Sequence, residues 1–98
     1  MAIIDIIENI PAGTTFVHSS GSDQKITALI ITNTEVTSAV INIKKKFNGI
    51  TVQRFMKDTD LDPSATFFED KPIYIKANTE FMITTDKNID ICIEGESI

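Results

Sequence analysis

At 98 residues the chain has room for one hydrophobic core, so residues 1–98 are read as a single domain, since domains most often run to about 100–150 residues. Hydrophobic residues make up 42% and charged residues 23%, which excludes the polar, charge-heavy profile of disorder. With Lys+Arg 9 against Asp+Glu 14 the net charge is -5, opposite to the basic footprint of a phosphate-backbone binder, so no direct nucleic-acid partner is expected.

Taken in chain order, Ala2–Ile7 reads as an apolar strand, with a short helix as the other reading of the first eight residues. Asp5 and Glu8 interrupt it, and it lacks the basic start and apolar run of a signal peptide. No segment elsewhere approaches the roughly 20 apolar residues of a membrane span, so no membrane partner is expected.

Pro11-Ala12-Gly13 signals a turn into a strand at Thr14–Ser19, and Ser19-Ser20-Gly21-Ser22-Asp23 is a loop. Lys25–Thr32 then places Ile26, Ala28 and Ile30 on one side of a strand and Leu29 and Ile31 on the other. Such a strand is expected to be central, and its second apolar face to need a cover. Asn33-Thr34-Glu35 ends it.

Asn48-Gly49, between Val40–Phe47 and Ile50–Met56, supplies the two positive-φ residues of a type I′ turn and predicts a β-hairpin. Asp62-Pro63-Ser64 then leads into a strand at Ala65–Glu69, repeating the chemistry of Pro11-Ala12-Gly13. Pro72–Ala77 and Phe81–Asp86 alternate with period two, and Asn78-Thr79-Glu80 is expected to join them as a second hairpin. After a turn at Asp86-Lys87-Asn88, Ile89, Ile91 and Ile93 point one way and Asp90, Cys92 and Glu94 the other.

The spacing predicts an all-β fold: a single-domain antiparallel β-sandwich or jelly roll of about eight short strands. Its core is expected to include Ile41, Ile43, Ile50, Val52, Phe81, Ile83, Ile89, Ile91 and Ile93.

Candidate chemistry is sparse. Asp58, Asp60, Asp62 and Glu69 fall at positions 1, 3, 5 and 12 of a calcium loop. Position 6, which requires glycine for its sharp bend, holds Pro63, whose φ is locked, so an acidic solvated loop is the preferred reading and neither a metal nor another cofactor is expected. Lys44 and Lys46 point opposite to Lys45, so the three make a charged strand edge or end and not one anion patch. His18 has neither a ligand partner nor a nucleophile at useful spacing. The lone Cys92 can form no intrachain disulfide and reads as a packing residue. Phe47 and Phe55 face opposite ways along one hairpin, leaving an aromatic exposed as an interface anchor. No catalytic residues are identified, and an enzyme is not expected.

Read end to end, Ile10-Pro11-Ala12-Gly13-Thr14-Thr15, Thr27-Ala28-Leu29-Ile30-Ile31-Thr32-Asn33-Thr34 and Ala39-Val40-Ile41-Asn42-Ile43 open a pattern that continues through Asp62–Phe68, Pro72–Ile83 and Ile89–Ile93. This order resembles that of small bacteriophage virion proteins. The chain departs from their pattern in having Pro63-Ser64 in place of a proline-glycine pair and Asn78-Thr79-Glu80 in place of a glycine-aspartate turn. The resemblance implies a non-enzymatic virion component, a capsid decoration or a neck or tail accessory. It would assemble as a homo-oligomer and bind a larger virion protein. The alternative expectation is a host-surface or carbohydrate-binding module assisted by calcium at Asp58–Glu69.

Overall fold

A computed structural model describes residues 3–98 of the chain. Nine strands account for all of the regular secondary structure in it: β1 (Ile3–Ile10), β2 (Thr15–His18), β3 (Gln24–Asn33), β4 (Ala39–Phe47), β5 (Ile50–Leu61), β6 (Thr66–Glu69), β7 (Ile73–Ile75), β8 (Glu80–Thr85) and β9 (Ile89–Ser97). The first expected strand is therefore present and is not helical, although Ala2 lies outside the described residues.

The strands form two antiparallel sheets. One has the order β1-β9-β3-β6, with β7 also on β3, and the other β2-β8-β4-β5. Because β6 and β7 pair with successive halves of β3, they share one lane, and each sheet has four lanes. Pairing is nested: β4 with β5, β3 with β6 and β7, β2 with β8, β1 with β9. A long hairpin rolled over so that successive pairs fall in alternate sheets gives this pattern, the jelly roll.

Local chemistry makes the roll possible. Asn48 (φ 51°) and Gly49 (φ 77°) take the two left-handed positions of the β4–β5 turn. Three other turns share one design, a four-residue turn with positive φ at its third residue: Gly13 (76°), Ser64 (59°) and Asn78 (63°). Each is closed by a backbone bond from the fourth residue to the first, Thr14 N to Pro11 O, Ala65 N to Asp62 O and Thr79 N to Lys76 O, at 3.0–3.2 Å.

The facing sides of the two sheets meet in one core. Ile26, Leu29, Ile31, Ile41, Ile43, Phe81, Ile83, Ile89, Ile91 and Ile93 are all buried there, each worth about 1.5–3 kcal/mol on leaving water. Phe55 closes one margin, its ring edge-on to Phe81 at 6.0 Å between centroids.

Four expectations need correction. Asn78-Thr79-Glu80 does not make a hairpin, because β7 pairs with β3 in one sheet and β8 with β2 and β4 in the other. Ile50 and Val52 are exposed and not core: Ile50 pairs with Phe47 past the end of β8 pairing at Lys46 and Glu80, and Val52 is the extra residue where the β4–β5 register shifts opposite Lys45 and Lys46. Of the two readings of Lys44–Lys46, the sheet edge is wrong, because β4 lies between β8 and β5, while the three do stand toward the end of that strand. Finally, β3 does not keep strict alternation. Its pairing with β9 slips between Ile26 and Ala28, and the extra residue turns Ile26 to the same buried side as Leu29 and Ile31. The slip needs Gly95 on the opposing strand, where a Cβ would run into the Lys25 carbonyl and come within 3.0 Å of the Ile26 Cα.

Candidate functional site

With Ile26 turned inward, what remains apolar on the outer side of β3 is Ala28 and Ile30. Register decides what lies beside them. Ile30 faces Cys92 on β9 and Phe68 on β6, and Cys92 faces Ile7 on β1. Residues directly opposite across antiparallel strands share a face, so Ile7, Cys92, Ile30 and Phe68 make one apolar row across all four lanes. Its two ends are open to water, Ile7 at 77% and Phe68 at 57% exposure, while Cys92 and Ile30 are half-buried.

Polar rows bracket it. On one side run Asn9, Asp90, Thr32 and Thr66, tied by hydrogen bonds from Asn9 Nδ2 to Asp90 Oδ1 (3.0 Å) and between the Thr32 and Thr66 hydroxyls (3.1 Å). On the other, Asp5 faces Glu94, and beyond them Glu96 is held by Lys25 at 3.2 Å. The flanks are thus acidic, with Lys25 already paired. Burial pushes the Cys92 thiol upward, and the Glu94 and Asp5 carboxylates push it further, which suits a packing residue and not a nucleophile.

The remaining sequence candidates are dispersed. Asp58 and Asp60 lie on β5 in the four-stranded sheet, Asp62 on the following turn, and Glu69 on β6 in the five-stranded sheet. Asp58 is engaged locally: its N–H donates to Asn42 Oδ1 (2.9 Å) and its carboxylate accepts from Asn42 Nδ2 (3.3 Å), which pins the irregular pairing of β4 and β5. Glu69 Oε1 accepts from the Lys71 N–H at 2.9 Å. Among the described residues no three His, Cys, Asp or Glu side chains are grouped to hold a metal ion.

Lys45 turns opposite to its neighbours, as the alternation requires. It spans the sandwich margin so that Nζ donates to the Tyr74 carbonyl at 2.9 Å and sits 5.7 Å from the Phe55 ring centre. Burial, and then the nearby Lys76 charge, lower its pKa. His18 shares a 2.7 Å hydrogen bond with the buried Gln24 side chain and serves the packing of β2 against β3. Phe47 is the exposed aromatic of its hairpin and Phe55 the packed one.

Between β5 and the β6/β7 lane lies a cleft of about 240 Å³ floored by Leu29, Ile43, Phe55 and Phe67, with Glu69 and Lys71 also lining it. Ligand pockets usually run from about 300 Å³ upward and gather several converging polar groups, so this cleft is small for one. The outward row is the more developed surface.

Alternation in the sequence could assign Ile30 and Cys92 each to a side of its own strand. It could not align them with Ile7 and Phe68, because register between strands whose partners lie far apart in the chain is a tertiary quantity. Comparisons of the chain with protein-family models, curated proteins and solved structures find no match.

Proposed function

We propose that the chain is a non-enzymatic structural protein of a bacteriophage particle, a capsid decoration or a neck or tail accessory, that self-associates and docks on a larger particle protein. The observation that carries this reading is the Ile7, Cys92, Ile30, Phe68 row. A contiguous apolar strip between polar rows is the arrangement of a protein interface, with anchors at the centre and a wet rim. The Asp5, Asp90 and Glu94 carboxylates around it select a docking partner whose matching surface carries Lys or Arg. Jelly rolls recur in viral capsid and lectin domains, which supports the particle class by analogy of fold, and the likeness of the strand and turn order to small phage virion proteins supports the phage. No nucleic acid, membrane or cofactor enters the reading. The calcium-assisted carbohydrate module would draw on Asp58, Asp60, Asp62 and Glu69, which this fold distributes over two sheets.

The test is quantitative mass spectrometry of particles purified from cells that produce them with this chain. The chain is expected at a fixed ratio to the major particle protein. Phe68→Glu, at a side chain already in water, is expected to keep the melting temperature and be lost from particles. A chain absent from purified particles overturns the reading.

A further inference from the structure

Four strand edges bound the two sheets: β1 and the β6/β7 lane in one, β2 and β5 in the other. Open edges are templates for uncontrolled pairing, and proteins blunt them with short strands, prolines and bulges. Three of these edges are blunted in such ways. β2 has four residues; the β6/β7 lane is broken at Asp70-Lys71-Pro72; β5 carries three register shifts and a left-handed Asp58.

β1 has none of these three devices, and its guards are the charges of Asp5 on the outer side and Glu8 on the core side. Its 8 residues match β9 one for one without a shift, and Ile-Ile-Asp-Ile-Ile-Glu-Asn-Ile holds no proline and no basic residue. Among the described residues, no strand pairs with its free side and no turn or loop backbone bonds to it. It also ends the apolar row, at the exposed Ile7.

We propose that β1 is a dimer edge, at which two copies of the chain pair antiparallel about a two-fold axis through Ile7 and fuse their five-stranded sheets. The register follows from charge and facing. Facing residues must share a side of the fused sheet, so the axis passes through one residue of β1. An axis through Asp5 or Glu8 sets a carboxylate against its own copy, which is destabilising. One through Ile6 sets Ile3, Ile4 and Ile7 against Asn9, Glu8 and Asp5, mixing apolar with polar at every pair but the central one. Axes nearer the ends of β1 pair fewer residues.

An axis through Ile7 sets Ile4 against Ile10, Asp5 against Asn9 and Ile7 against itself, with Ile6 against Glu8 the one mixed pair. Ile4 and Ile10 are both on the core side and Asp5 and Asn9 both on the outer side. The outward row then crosses the seam unbroken, from Phe68, Ile30, Cys92 and Ile7 of one copy into the same residues of the other in reverse order. Two-fold pairing uses each edge once and closes, so this edge gives a discrete dimer and not a fibre. The inference deepens the self-association in the proposed function but does not need the particle: a chain that dimerises through β1 and is missing from particles fails that reading and leaves this one intact.

Sedimentation equilibrium of the wild-type chain up to millimolar concentration is expected to reach twice the chain mass of 10.9 kDa. Ile7→Lys, at a side chain in water in the monomer, should fold with the wild-type circular dichroism spectrum and weaken dimerisation about tenfold or more, because it sets like charges face to face and removes the central contact. In a Cys92→Ser background, oxidised Ile7→Cys should cross-link two copies, whereas Asp5→Cys, which faces Asn9 and not itself, should not. A monomer at millimolar concentration, a dimer indifferent to Ile7→Lys, or equal cross-linking through Asp5→Cys overturns the proposal.

Discussion

β9 and the start of β5 carry the same sequence signal and meet opposite fates. Ile89, Ile91 and Ile93 alternate with polar residues or cysteine, as Ile50 and Val52 do with Thr51 and Gln53. In β9 the isoleucines are 0–2% exposed, whereas Ile50 and Val52 are 69% and 56% exposed. β9 lies between β1 and β3 with the second sheet beneath it; β5 is an edge strand that starts, at Ile50, past the end of β8 pairing and slips register at Val52. Alternation tells which residues share a face. Whether anything covers that face is a separate fact, set by where the strand lies in its sheet.

The comparison breaks most sharply under a buried charge. Ile91→Asp places an unpaired carboxylate in the core and is expected to cost more than about 4 kcal/mol, most or all of the stability of a small domain. Val52→Asp, a like change at an exposed position near the start of β5, should stay within about 1 kcal/mol. Urea unfolding of both checks the pair, and similar midpoints would refute the assignment of one as core and the other as surface.

The far end of β5 is held where its start is not. The buried Asn33 amide shares its two hydrogens among the carbonyl oxygens of Thr37 (2.8 Å), Leu61 (3.0 Å) and Asp62 (3.2 Å), and its Oδ1 accepts from the Glu35 N–H at 2.9 Å. Asn33→Ala leaves those groups unpaired and is expected to cost about 2–3 kcal/mol. Hydrogen exchange should quicken at Glu35 and around Asp62 before it does at β9, and uniform quickening would argue against a local clasp.

A milder effect is expected at the slip between β3 and β9. Gly95→Ala must push its methyl against the Lys25 carbonyl, for an expected cost of about 1–3 kcal/mol measured by thermal unfolding. A neutral result would mean that the two strands separate readily at this point.

The smallest effect is expected from calcium. A ligand bound only to the folded state at 100 times its Kd stabilises by about 2.7 kcal/mol. Millimolar calcium should leave the melting temperature unchanged, because Asp58 and Asp60 lie along β5 and Glu69 in the other sheet. A rise of several degrees that Asp60→Ala abolishes would show that the acidic end of β5 gathers a site after all.

By itself the sequence determined the all-β class, the Asn48-Gly49 hairpin and the buried side of β9, because these depend on neighbours two residues apart and on residues that tolerate positive φ. It also determined that Lys45 leaves the side of Lys44 and Lys46, since that is period two again. Only the tertiary structure decided that Asn78-Thr79-Glu80 crosses between sheets, that Ile50 and Val52 stand in water, and that a one-residue slip at Gly95 turns Ile26 inward. The row joining Ile7, Cys92, Ile30 and Phe68 belongs to the same class. Each of these depends on which distant strand lies alongside and in what register, and a chain's local pattern holds no record of either.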